Sequence, residues 1–352
     1  MGEAIAAIGV PQVRRSRASW PDALIVGVCR LPVPAWLFYL LLAGPPLAYS
    51  YWIWTAGAIP GSALRVPVVI LFGAQLAYPL AGAHWLDAAA ARAFARFRPL
   101  LPLGADTAAL ERELRSVPPA GAWIAMAVFA VVFMATVGSA DTERQFTQLG
   151  LSFASVRIPM TVYFVVLGAI WGPFVYRAFH QLRVIGRLHA MAVGVDPLRP
   201  AAAHAFSGFT MRLAILLAAY GYAWFGIDPS VQSQSAVTIA FDLGYIALAI
   251  AVFALPLWGM HRRLATEREA MLEAANMRFE AATAELHVRV DEMDLSDADA
   301  LNKTIASLVA ERDVLHHTPT WPWQAATLNT FLTALAAPIV LFFVTRALER
   351  LL

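Results

Sequence analysis

MHRRLATEREAMLEAANMRFEAATAELHVRV at residues 260–290, DEMDLSDADA at 291–300 and LNKTIASLVAERDVLHH at 301–317 form one charged insert between two of the most apolar stretches of the chain. The insert holds twelve of the 24 acidic residues and the sole lysine, Lys303. Leu264, Met271, Ala275, Phe279, Ala282, Leu286, Val290 and Met293 recur at steps of three, four and seven. That spacing places them on one face of a helix. A shorter arm carries Leu301, Ile305, Leu308 and Val309 on one face, and Ser296 followed by Asp299 has the form of a capping box. The insert therefore predicts a helical hairpin turning near Leu295 and Ser296, with arms of about 50 and about 30 Å.

What lies on either side sets the class. Apolar residues make up 59% of the 352 and the mean hydropathy is +0.61. They fall in blocks of about twenty, the length that crosses a bilayer. The expected fold is all-α, a polytopic membrane protein with seven spans. These lie at about 35–55, 64–84, 120–138, 158–178, 208–226, 236–259 and 323–345, several carrying an internal proline. The expected organisation is a basic N-terminal segment at 1–34 and six spans over 35–259. The hairpin follows at 260–318, and the last span with the C-terminus at 319–352. Within the six-span part, residues 87–116 alternate Arg92, Arg96 and Arg98 with Phe94 and Phe97, the pattern of a helix lying in the membrane interface. DTAALERELRS then makes a short polar helix stopped by Pro118 and Pro119.

Arginine placement gives the orientation. With the N-terminus in the cytoplasm, 21 of the 26 Lys and Arg residues lie inside; the other five are Arg65, Arg144, Arg157, Arg346 and Arg350. The short connections give the same asymmetry without the hairpin, and an odd number of spans puts the C-terminus outside. Plasma (cytoplasmic) membrane is the expected location. A single cysteine, Cys29, rules out a disulfide or a cysteine-based metal site within one chain. The eight histidines show no metal-binding spacing, so neither metal nor cofactor is expected, and the composition suggests no nucleic-acid partner. His84, His204 and Arg212 fall near the inner boundaries and read as interfacial residues.

Asp242 is the one carboxylate well inside an apolar block, and an aspartate there needs a partner, a wet path or the bundle interior. It reads either as an intramembrane polar site or as a residue near the outer interface bonded to Tyr245. The acidic tip of the insert, Asp291, Glu292, Asp294, Asp297 and Asp299, reads as a solvated turn or as a patch for an ion or partner. The run Thr136, Val137, Gly138, Ser139, Ala140, Asp141 resembles the potassium-channel filter TVGYGD, whose carbonyls replace an ion's water shell. Ser139 and Ala140 stand where that filter has tyrosine and its second glycine, and the basic stretch before this span belongs inside. The end of a helix running into a polar loop also accounts for the run.

Signatures of hydrolases, nucleotide-binding loops and zinc proteases are missing, so no enzymatic activity is expected, with a membrane enzyme lacking a known motif ranked last. The leading expectation is a homo-oligomeric ion channel or pore whose hairpins assemble through their apolar faces. The alternative is a membrane sensor or scaffold whose hairpin docks a cytoplasmic partner. Both share the lipid bilayer as partner.

Overall fold

The computed structural model describes residues 19–56, 65–137, 143, 152–227, 236–293 and 296–351. Among them all regular structure is helical, with no strand. The helices are α1 (Trp20–Cys29), α2 (Ala35–Ala56), α3 (Arg65–Phe97), α4 (Thr107–Arg115) and α5 (Pro119–Val137). They continue with α6 (Phe153–Met191), α7 (Ser207–Ile227), α8 (Ala236–Asp291), α9 (Ala298–His317) and α10 (Ala325–Leu351). Three stretches among the described residues are long and apolar enough to cross a membrane: Val69–Leu100, Thr107–Ala135 and Arg157–Met191.

Local chemistry explains several boundaries. Ser19 caps α1, and Asp22 three residues on answers it with a carboxylate oxygen 2.6 Å from the serine hydroxyl. That pair starts a helix inside the stretch expected to be only a basic tail. Asp106 accepts the Ala109 amide at 2.9 Å to cap α4, and α5 begins on Pro119, where a missing amide hydrogen costs nothing. The return helix α9 has Asp297 as its N-cap residue, without a side-chain cap bond. The capping box expected from Ser296 is thus replaced by a start one residue later.

Some helices run through the expected boundaries. α3 joins the second apolar block to the arginine-rich stretch in one rod, and a 3-10 turn at Arg98–Leu100 ends it. Phe94 and Phe97, expected to dip into lipid, are buried, while Arg92, Arg96 and Arg98 are exposed. α8 carries the sixth apolar block and the outgoing charged arm as a single helix of 56 residues, about 84 Å long. Residues 84–97 and 260–291 hold neither Gly nor Pro and are rich in Ala, Glu, Leu, Met and Arg, so leaving the apolar zone gives the backbone no reason to stop.

Two compact units emerge. The first takes the described residues of 1–91, 106–184 and 220–239; the second takes those of 92–105, 185–219 and 240–352. In the first, Val28, Tyr39, Ala43, Ala77 and Leu80 form a core joining α1, α2 and α3. α5 lies against α6 at very short range. A Cβ built on Gly168 would stand 2.6 Å from the Ala130 backbone, and one on Gly172 would stand 2.6 Å from the Ala125 carbonyl carbon. Glycines four apart remove the side chains that would hold two such backbones apart. In the second unit, Phe97, His189 and Phe206 pack ring against ring at 5.1–5.6 Å.

Along the charged arms, Leu264, Ala275 and Leu315 are buried, and Arg278 pairs with Glu311 at 3.6 Å beside an Arg312 guanidinium set 5.0 Å over the Phe279 ring. Toward the tip the seam opens: Val290, Met293 and Val309 are exposed, and Met293 takes a φ of 56° in the turn. The loop after α9 is tied back to α8. His261 stacks on Trp321 at 4.0 Å and 7°, and Arg268 reaches the Thr318 carbonyl. Trp321 and Trp323 stack 4.4 Å apart in a ladder that continues to Phe253.

Candidate functional site

α3 and α6 run parallel in the first unit and share a line of buried polar groups. The Tyr163 hydroxyl donates to the Phe72 carbonyl at 2.7 Å and faces the Gln75 amide at 3.0 Å. One hydroxyl proton serves one strong bond. The coherent assignment turns the Gln75 amide so that its NH2 donates to the tyrosine oxygen, leaving the glutamine carbonyl oxygen as the unmatched end. Gln75 is buried, and either orientation leaves one of its amide atoms without a partner. Two turns along, the Trp171 indole donates to the Gln75 backbone carbonyl at 3.1 Å. Its ring stacks on Tyr78 and meets Tyr220 of α7 at 4.3 Å.

Beyond this aromatic layer lies a buried charge cluster. Arg177 of α6 is 3% exposed and binds Asp22 of α1, Asp87 of α3 at 2.9 Å, and the Arg115 carbonyl at the end of α4 at 2.6 Å. Arg115 holds the other oxygen of Asp87 at 2.8 Å and pairs with Glu111 at 3.4 Å. Asp22 also accepts the Val117 amide at 3.1 Å, just ahead of α5. One guanidinium thus fastens α1, α3 and the α4–α5 junction to α6. Two aspartates balance two arginines, the condition for keeping such charges out of water. One turn further, Gln181 is fully buried, and neither its amide nitrogen nor its oxygen has a partner; the Arg177 Nε is also unmatched. Buried polar atoms are ordinarily paired, by protein groups or by ordered water.

In the second unit, His189 near the end of α6 is fully buried and its Nδ1 donates to the Pro256 carbonyl at 2.9 Å, at the point where proline interrupts the α8 ladder. Two turns further along α8, Arg263 donates to the Ala190 and Ala192 carbonyls that end α6. A guanidinium there satisfies carbonyls that helix geometry leaves open and suits the negative helix end.

The residues singled out by sequence fall elsewhere. Asp242 and Tyr245 belong to the first turns of α8, Thr136 and Val137 to the end of α5, but their side chains lie outside the described residues, as do Gly138, Asp141 and Asp294. Asp291, Glu292, Asp297 and Asp299 are exposed at the tip; Asp297 pairs with Arg289 and Asp299 with Lys303. Among the described residues no group of three or more His, Cys, Asp or Glu is placed to hold a metal. His84 accepts or donates to the Tyr39 hydroxyl at 3.1 Å, and its other ring nitrogen faces the Cys29 thiol at 3.6 Å. Sequence reasoning missed Asp22, Asp87, Arg177, Gln75 and Gln181. The one available signal was the polar side chains at 177 and 181, one turn apart at the end of an apolar block. No family model, curated protein or solved structure matches this chain.

Proposed function

We propose that the chain is a seven-span membrane protein that acts as a homo-oligomeric ion channel or pore, its charged arms forming a cytoplasmic helical hairpin. The observation that carries the proposal is the set of buried polar groups on α3 and α6, where Gln75 and Gln181 bury amide atoms without partners. Water along that line satisfies such buried amide atoms, and a hydrated file is what conduction requires. Assembly is supported by the arms. Met277 and Val288, eleven residues and three turns apart on one stripe of α8, stay more than half exposed on a helix built for water.

The test is ion flux from proteoliposomes containing purified protein, with Gln75→Leu and Gln181→Leu as the perturbations and mass photometry for oligomeric state. Flux that both variants reduce, from an oligomer, supports a pore. A monomer that passes no ion at any gradient rejects it. A sensor or scaffold is favoured by a different observation, the uninterrupted run of α8 from apolar block to charged arm with Arg263 clamped on the end of α6. Deleting 262–317 then abolishes capture of a cytoplasmic partner while the remaining helices stay folded.

A further inference from the structure

Three chemically active side chains from three helices meet within the first unit. Cys29 closes α1, Tyr39 lies early in α2, and His84 belongs to α3. The Cys29 sulfur stands 3.6 Å from His84 Nε2, and His84 Nδ1 stands 3.1 Å from the Tyr39 hydroxyl. The core fixes this order. Val28 and Tyr39 pack with Ala77 and Leu80, and His84 continues the same face of α3 by one further turn. A nucleophile, a base and a third group that orients the base are the parts from which activated thiols are built. With the Nδ1 hydrogen donated to the phenol oxygen, Nε2 turns its lone pair to the thiol. Cys29 itself is exposed. So is the apolar chain around it, Val26 one turn before and Leu31, Val33 and Trp36 after. The apolar block at 35–55 begins just beyond.

We propose that Cys29 is an S-acylation site, at which the chain takes a long-chain acyl group from an acyl-coenzyme A with His84 as general base. The thiol proton passes to His84 Nε2 while the sulfur bonds the carbonyl carbon of the donor thioester. The carbon–sulfur bond to coenzyme A then breaks, and its thiolate leaves with the proton that His84 returns. One thioester replaces another, so no oxidant or reductant is needed. Tyr39 is a positioning residue: its oxygen accepts the Nδ1 hydrogen before and after the proton transfer and holds the imidazole in line. The apolar surroundings select the group transferred. Val26, Leu31, Val33 and Trp36 give an acyl chain a surface to cover, and a thiol beside a membrane-length apolar block is where such chains are carried. The site is independent of whether the protein conducts, since none of its residues is among the polar groups that α3 shares with α6.

Intact-mass spectrometry of the purified full-length protein in detergent, incubated with palmitoyl-coenzyme A, tests the site. One palmitoyl group per chain is expected, released by neutral hydroxylamine and absent from Cys29→Ala; the chain has a single cysteine, so a thioester has one place to form. His84→Gln lowers the initial rate about a hundredfold at neutral pH. Below about pH 8 the rate of that variant climbs about tenfold per pH unit, as for a thiol without a base, whereas the wild-type rate climbs less steeply. Tyr39→Phe keeps its ring in the core and moves the pH profile part of the way toward that of His84→Gln. Trp36→Gln slows palmitoyl transfer about fivefold and leaves acetyl transfer from acetyl-coenzyme A unchanged. Melting temperatures equal to that of the wild type show that the variants keep the fold; should His84→Gln lose it, the Tyr39→Phe profile carries the same test. No adduct on the wild-type protein, a hydroxylamine-stable adduct elsewhere in the chain, or a rate and pH profile that His84→Gln and Tyr39→Phe leave unchanged each overturns the proposal. Acetyl and palmitoyl groups transferred equally well, with Trp36→Gln indifferent to both, overturn the long chain as the group carried.

Discussion

Replacing Arg177 by methionine keeps the length of the side chain and removes the charge that joins four segments of the first unit. The structure sets the cost. Asp22 and Asp87 are 11% and 13% exposed, and both lose a cation. Their fates differ, however. Asp87 keeps Arg115 at 2.8 Å, whereas Asp22 keeps only the Val117 amide and the Ser19 hydroxyl. Breaking a buried pair from one side costs about 3–5 kcal/mol, most of it the charge left behind. Here that charge is on Asp22. Adding Asp22→Asn to Arg177→Met removes the stranded charge while the amide oxygen still accepts from Val117, so the double variant is more stable than Arg177→Met alone. Asp22→Asn by itself costs about 1–3 kcal/mol, because Arg177 retains Asp87. The two changes are therefore non-additive by more than about 1.5 kcal/mol, and Asp87→Asn rescues Arg177→Met less than Asp22→Asn does. Tryptophan fluorescence during denaturation of the protein in detergent gives all these differences as a double-mutant cycle. Additive losses, or equal rescue by the two asparagines, would refute the idea that Arg177 neutralises Asp22 above all.

Gly168→Ala and Gly172→Ala each force a Cβ to 2.6 Å from α5 backbone atoms, so the helices part by about 1 Å and stability falls by about 1–3 kcal/mol. Gly186→Ala, on the same helix with nothing within 4 Å of its added Cβ, is neutral or stabilising by up to about 1 kcal/mol, and thermal melts in detergent compare the three. Burial holds the His204 imidazole below its ordinary value of 6.5, so the unfolded chain takes up the proton first. Its contribution to stability is complete above about pH 6.5 and declines as the pH falls below it. His204→Gln flattens the drop in melting temperature between pH 7.5 and 5, and an unchanged drop counts against the assignment.

How far the sequence discloses this molecule depends on the range over which each force acts. Capping and turn chemistry are local, so Asp106, Pro118 and Pro119 delimit α4 and α5 as the residues alone suggest. Hydropathy is also local, but it marks where the surroundings change, not where a helix ends. The second, fourth and sixth apolar blocks each continue as helix beyond their polar edge, to Phe97, Met191 and Asp291. The same property misdirects the search for a site. Asp242 stands out because its neighbours along the chain are apolar, whereas Asp87 and Arg177, at block edges, pass for interface residues. Their meaning lies in partners 90 and 155 positions away, and those distances are closed by packing. The glycines at 168 and 172 link the two scales. By admitting the α5 backbone they fix where α6 lies, and α6 in turn presents Tyr163, Trp171 and Arg177 to α3 at successive depths. If α3 and α6 ran antiparallel, Tyr163 would meet the opposite end of α3, and Gln75 and Asp87 would lose Tyr163 and Arg177.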